Sequence, residues 1–227
     1  MSTLVDDLST FTLPGEMMEV ETATQAPRPL VLVHGLFDTP LLFRRLVRRL
    51  DQHDFPLLVP HLPHRLGITS LRKLAAMLDR AIVDQWGTET VVDVLGFSMG
   101  GVISRIWLQE LAGAKRTKRF LSVGSPQQGT FTAQWIPAFL FPGLADMKFG
   151  SPLLRQLNGD VSALQGLECT SYFCQWDLMV FPGWQAVLPV GDQQAIPVLT
   201  HQQLISDPLA WMNLSQSLFV SDLAKWI

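Results

Sequence analysis

Apolar residues run along this chain in two rhythms. Short unbroken runs recur at PLVLVHG (29–35), PLLVP (56–60), TVVDVLGF (90–97), RFLSVGSP (119–126), CTSYFCQW (169–176) and AIPVLT (195–200). They lack strict alternation, so they predict six strands buried on both faces. Between them the spacing switches to three and four. Leu42, Phe43, Leu46, Val47 and Leu50 predict a helix over 41–50, entered through Thr39 and Pro40 as cap and first helical position. Leu71, Leu74, Ala75, Leu78 and Ile82 predict a second from Ser70 to Gly87, and Val102, Ile103, Ile106 and Trp107 a third over 99–112 that Gly113 stops. A last helix opens at Asp207-Pro208 and runs to the C-terminus. Strands alternating with helices predict one three-layer α/β domain over 1–227, with a mostly parallel central sheet and helices on both faces. Pro197 inside the last run predicts an edge strand. Residues 131–165 break the rhythm: they are apolar, carry several Pro and Gly, and show no strand. They predict an insertion after the fourth strand, with short helices over the sheet edge.

Composition narrows the function classes. Charged residues make up only 16% of the 227 and hydrophobic ones 48%, against an ordinary charged share of about 25%. Such a chain buries most of its strands or exposes apolar surface to a greasy ligand. A net charge of −3 offers no footprint for nucleic acid. Arg44, Arg45, Arg48 and Arg49 share one helix face. That face is a solvated one in preference to a site for anionic headgroups. The start MSTLVDDLST has neither the basic nor the apolar part of a signal peptide, and no run reaches membrane-spanning length. Cys169 and Cys174, an odd five apart on a predicted strand, point to opposite faces and do not pair. These features favour the cytoplasm. The histidines and acids lack metal-ligand spacing, so no metal or other cofactor is expected.

The chemistry gathers where strands end, since groups at the carboxyl edge of a parallel sheet converge. Gly96-Phe97-Ser98-Met99-Gly100 stands between a predicted strand and a predicted helix. In that context G-x-S-x-G is a tight turn that projects the serine hydroxyl, so Ser98 is the candidate nucleophile rather than a helix cap. A serine needs a base. Among the five histidines only His201 follows Ser98, as the order serine, acid, histidine requires. His34 reads as structural, and His61 and His64 as loop or pocket-wall residues. Asp177, just after the fifth strand, is the preferred acid over Asp160, Asp192 and Asp207. Asp93 lies within a strand and reads as structural. Acyl transfer also needs donors for the oxyanion: the N–H groups of Met99 and of Leu36 in VHGLFD are the candidates.

With LVHGLFDTP, VLGFSMGG, SVGSPQQGT, WDLMVFP and THQQLISDP in place over residues 29–208, the chain resembles the α/β-hydrolase superfamily, and within it small bacterial-type lipases and esterases. The resemblance implies a Ser98–Asp177–His201 triad with an oxyanion hole from Leu36 and Met99. Phe97 stands where many such lipases have histidine, and Thr200 where a glycine usually precedes the histidine. In these relatives the segment after SVGSPQQGT forms a cap or lid beside the acyl site. Trp135, Phe139, Phe141 and Leu144 in it, with Phe37 in the His-Gly loop, then either line an acyl channel or pack on the core. The implied activity is cleavage of carboxylic esters, of lipid or other apolar acyl groups, with passing contact to a membrane surface. Thioesterase, amidase or acyltransferase chemistry uses the same residues, and a non-catalytic binding protein of this fold is the reading from another class.

Overall fold

In the structure, a computed structural model that describes residues 28–219, five of the six apolar runs and one polar segment form one sheet of six parallel strands. These are β1 (Leu30–Val33), β2 (Leu57–Leu58), β3 (Val92–Phe97), β4 (Thr117–Val123), β5 (Glu168–Phe173) and β6 (Asp192–Ala195), in the order β2-β1-β3-β4-β5-β6. The helices are α1 (Arg44–Asp51), α2 (Leu71–Trp86), α3 (Met99–Glu110), α4 (Pro142–Ala145), α5 (Pro152–Gly159), α6 (Gln203–Ser206) and α7 (Pro208–Phe219). The N-terminal stretch bearing on a signal peptide, and residues 220–227, over which the sequence predicts that the last helix continues, lie outside the described residues. Among those described, no helix is long and apolar enough to cross a membrane.

The two-residue period of a strand sorts the side chains into two cores. Val31, Val33, Val92 and Val94 join α2, α3 and α5 on one face. Leu30, Leu32, Leu95, Phe97 and Tyr172 join α1, α6 and α7 on the other. Each such side chain, fully buried, contributes about 1.5–3 kcal/mol of apolar transfer free energy. The cysteines follow the same parity: both thiols are free and buried, Cys169 in the first core and Cys174 in the second.

Three expectations shift at their boundaries. The sixth strand is polar Asp192–Ala195, not AIPVLT. An edge strand needs apolar side chains less than it needs a backbone partner, and β6 pairs with β5 from Thr170–Asp192 to Phe173–Ala195. Pro197 has no N–H to continue that ladder, so Ile196 and Val198 bury their side chains from a loop instead. Helix 41–50 begins as a 3-10 turn over Pro40–Phe43 before α1. The helix α3 ends at Glu110, and the left-handed residue after it is Ala112 (φ 57°), not Gly113. The insertion holds α4, α5 and two 3-10 turns, at Phe131–Ala133 and Ser162–Leu164.

The amino end of the sheet is tied by charge. Asp93 on β3 accepts from the Arg119 guanidinium on β4, at 2.8 Å and 2.9 Å, and from Arg28 at 3.2 Å. Arg119 also donates to the Ser217 and Leu218 carbonyls near the end of α7. Burial pushes the Asp93 carboxyl up, against the pull of Arg119 and Arg28. Removing one partner of a buried pair strands the other. Asp93→Ala should therefore lower the unfolding free energy by about 3–5 kcal/mol in urea denaturation, and adding Arg119→Met should recover part of the loss.

Candidate active site

The turn between β3 and α3 is built on hydrogen-sized clearances. A Cβ at Gly100 would stand 2.1 Å from the Val33 carbonyl oxygen, and one at Gly96 would stand 2.4 Å from the Gly101 Cα. Glycine at these positions lets the first turn of α3 press on the ends of β1 and β3. The chain reverses direction within one residue, and that residue, Ser98, takes φ 54° and ψ −129°. For a residue with a Cβ this backbone costs of order 1–3 kcal/mol and persists only where its surroundings enforce it. Here the Ser98 N–H donates to the Val123 carbonyl at 2.9 Å, and the Ser98 carbonyl accepts from Gly101 at 3.0 Å. The side chain is half-buried and lines a cavity of about 310 Å³.

Asp177, beyond the end of β5, and His201, in the turn before α6, meet behind that cavity. His201 Nδ1 lies 2.6 Å from Asp177 Oδ2. The other carboxylate oxygen accepts the N–H groups of Met179 at 2.8 Å and Val180 at 3.0 Å. Both side chains are buried, Asp177 at 1% exposure and His201 at 6%. A carboxylate can only accept, so Nδ1 carries a proton, and in a neutral ring the lone pair then lies at Nε2. That Nε2 is buried with no hydrogen-bond partner among the described residues, and His201 lines the same cavity as Ser98. The ring rests on Phe97, centroids 4.8 Å apart. Gly124 (φ 55°) leaves it room, since a Cβ there would come within 3.1 Å of His201 Cε1. Burial and the Asp177 carboxylate push the neighbouring Cys174 thiol up to about 12, which keeps it protonated and unreactive.

The loop after β1 supplies a third side of the cavity through Leu36, Phe37 and Asp38. His34 anchors it. Its Nε2 accepts the Leu62 N–H at 3.2 Å, so its proton sits on Nδ1, which donates to the Gly35 carbonyl at 3.1 Å. Burial holds His34 below the ordinary histidine range, against the Gly35 bond and with help from His64 and His61. His64 Nε2 donates to the Asp38 carbonyl at 3.3 Å. The backbone at Phe37 is left-handed (φ 62°). Leu36 lines the cavity. Met99 opens α3, where no earlier helical carbonyl can accept its N–H.

Of the apolar residues named from the sequence, Phe37 and Leu144 line the cavity. Trp135 and Phe139 are not among its lining residues and are 92% and 85% exposed; Phe141 packs on the first core. The apolar wall consists instead of Ala133, Ile136, Met147, Met179 and Val180. Sequence reasoning also missed Asp38 and Gln202 on the cavity surface. The available signal was adjacency: Asp38 ends the His-Gly loop, Gln202 follows His201, and Met179-Val180 follow Asp177.

Comparison with known proteins adds the following. Residues 28–219 match the family model for the alpha/beta hydrolase fold. Among solved structures the chain is similar to lipase B of Aspergillus fumigatus, with TM-score 0.71 and 19% identity over 86% of this chain and 53% of that one. It is also similar to the mature form of the Bacillus licheniformis lipase BlEst2, with TM-score 0.62 and 17% identity over 88% and 95%. A third is the metagenomic carboxyl esterase MGS0156, with TM-score 0.70 and 14% identity over 86% and 76%. At these identities the likeness is one of fold. The chain spans about half the length of the fungal lipase. No curated protein sequence matches.

Two outcomes follow from this geometry. Gly100→Ala should destabilise the protein by about 3 kcal/mol or more, because its Cβ meets backbone that cannot step aside. Gly166→Ala, with nothing near its Cβ, should stay within about 0.5 kcal/mol. Denaturant melts compare them. Because His34 is held low when folded, the stability tied to its neutral form is complete above about pH 6.5 and is lost as pH falls further. Unfolding free energy should therefore drop more steeply from about pH 7 to 5 in the wild type than in His34→Gln.

Proposed function

Since this chain belongs to the α/β-hydrolase family, we propose that it is a serine hydrolase that cleaves carboxylic esters of apolar acyl groups. One observation carries the reading: a buried His201 Nε2, unpaired among the described residues, belongs to a ring that shares a cavity with the strained Ser98, while Nδ1 is committed to Asp177. On this reading Ser98 Oγ attacks the ester carbonyl and gives its proton to His201 Nε2. The negative charge that develops on the carbonyl oxygen is met by the N–H groups of Leu36 and Met99. Collapse of the tetrahedral adduct breaks the bond to the alcohol oxygen, which takes the proton from His201. Water then attacks the acyl-serine by the same route, restoring the Ser98 hydroxyl and releasing the acid. Asp177 fixes the productive tautomer and stabilises the imidazolium.

The apolar wall of Ile136, Leu144, Met147, Met179 and Val180 supports an aliphatic acyl group over a polar one. Within 131–165, which we read as a cap beside the acyl site, Trp135, Phe139 and Leu140 expose apolar surface that solvent does not favour. That surface supports transient contact with a lipid surface. The two unpaired thiols fit a reducing, cytoplasmic setting.

A series of p-nitrophenyl esters of increasing chain length tests the activity; no turnover at any length would sink it. Ser98→Ala should lower kcat by about 10^6-fold and Asp177→Asn by about 10^4-fold. Replacing Trp135 and Phe139 by serine should reduce co-sedimentation with neutral phospholipid vesicles. Unchanged sedimentation would remove the lipid-surface part alone.

A further inference from the structure

Asp38 places a carboxyl group in a cavity whose remaining wall is mostly apolar. Its placement beside the nucleophile can be read from the space above Gly35. A Cβ there would lie 3.1 Å from Asp38 Oδ2 and 3.2 Å from Ser98 Oγ, so both oxygens crowd one small region. Among the described residues no lysine or arginine lines the cavity, and Asp38 forms no ion pair. The groups that face it are the Gln202 amide, His201 and His64. Burial pushes its carboxyl up, while those three favour the ionised form. The loop conformation that brings it there is fixed by the left-handed backbone at Phe37 and by the His64 bond to the Asp38 carbonyl.

We propose that Asp38 makes the cavity select its occupant by charge, accepting neutral acyl groups and disfavouring carboxylates. A like charge close to the bound headgroup repels it, and the apolar wall strengthens that repulsion because little water screens it. The consequence for turnover rests on the ester-hydrolase reading. Hydrolysis turns a neutral ester into an alcohol and an acid that loses its proton. The carboxylate then forms beside Asp38, and its departure is favoured over that of the ester it came from.

Binding separates this from the reading it deepens, since it needs no chemistry. Calorimetry at about pH 8, where an aspartate is ionised, compares hexanoate with hexanamide, which differ in charge at nearly the same shape. The wild type should prefer the amide by a ratio that falls about tenfold in both Asp38→Asn and Asp38→Ser, and that Asp38→Glu retains. Two neutral replacements guard against a variant that fails to fold, which circular dichroism would reveal. A ratio unchanged in the folded neutral variants overturns the proposal. Absence of turnover on p-nitrophenyl esters would overturn the ester-hydrolase reading and leave the calorimetric result standing.

Discussion

The first turn of α3 lies against the ends of β1 and β3 with no side chain between them, and the rest of the site hangs on that contact. A single added carbon at Gly100 would collide with the Val33 carbonyl. Close approach leaves Ser98 no ordinary backbone conformation, so the strain at φ 54° follows from the packing. Strain of this kind is stable only when both flanking elements are rigid. They are: β3 is buried along its whole length, and most of α3 is buried as well. The two cores stabilise the turn from opposite sides of the sheet.

Charge is kept to the ends of the sheet. At the amino end, Asp93 and Arg119 neutralise each other and tie α7 to the strands. At the carboxyl end, Asp177 spends its oxygens on His201 and on two backbone amides, and Asp38 has no cationic partner among the described residues. Both Asp93 and Asp177 are almost fully buried, yet the partners differ in kind. A guanidinium stays charged and locks a structure, whereas an imidazole can change its protonation state. The first arrangement suits a fixed joint and the second a group that exchanges protons.

Much of this was legible along the chain because strands and helices carry periodic signals. The parallel sheet, the helices on both faces and the parity of Cys169 and Cys174 all follow from spacing. Ser98 was visible through its flanking glycines, and the structure places His201 on the same cavity and Asp177 against it. Irregular segments gave no such guide. Trp135 and Ile136 are neighbours in sequence, yet Ile136 lines the cavity and Trp135 faces solvent. Without a helix or strand to set direction, hydrophobicity alone does not choose between them. The edge strand misled for another reason. Apolar Ile196 and Val198 were drawn into the core from a loop, while backbone pairing went to polar Asp192–Ala195. Asp38 carried no sequence pattern of its own, because its position depends on a left-handed turn at Phe37.

The chain from Asp177 to His201 passes through β6, one of the sheet's two edge strands, whose four residues are exposed or only partly buried. Such a strand holds little apolar surface, so peeling it away costs less free energy than unfolding the sheet. His201 sits six residues past its end on the same stretch of chain. His201 is thus carried by chain that leaves the sheet's edge, whereas Ser98 is held between β3 and α3, both largely buried. Ser98 and His201 are therefore held by parts of the fold that differ in how much packing secures them.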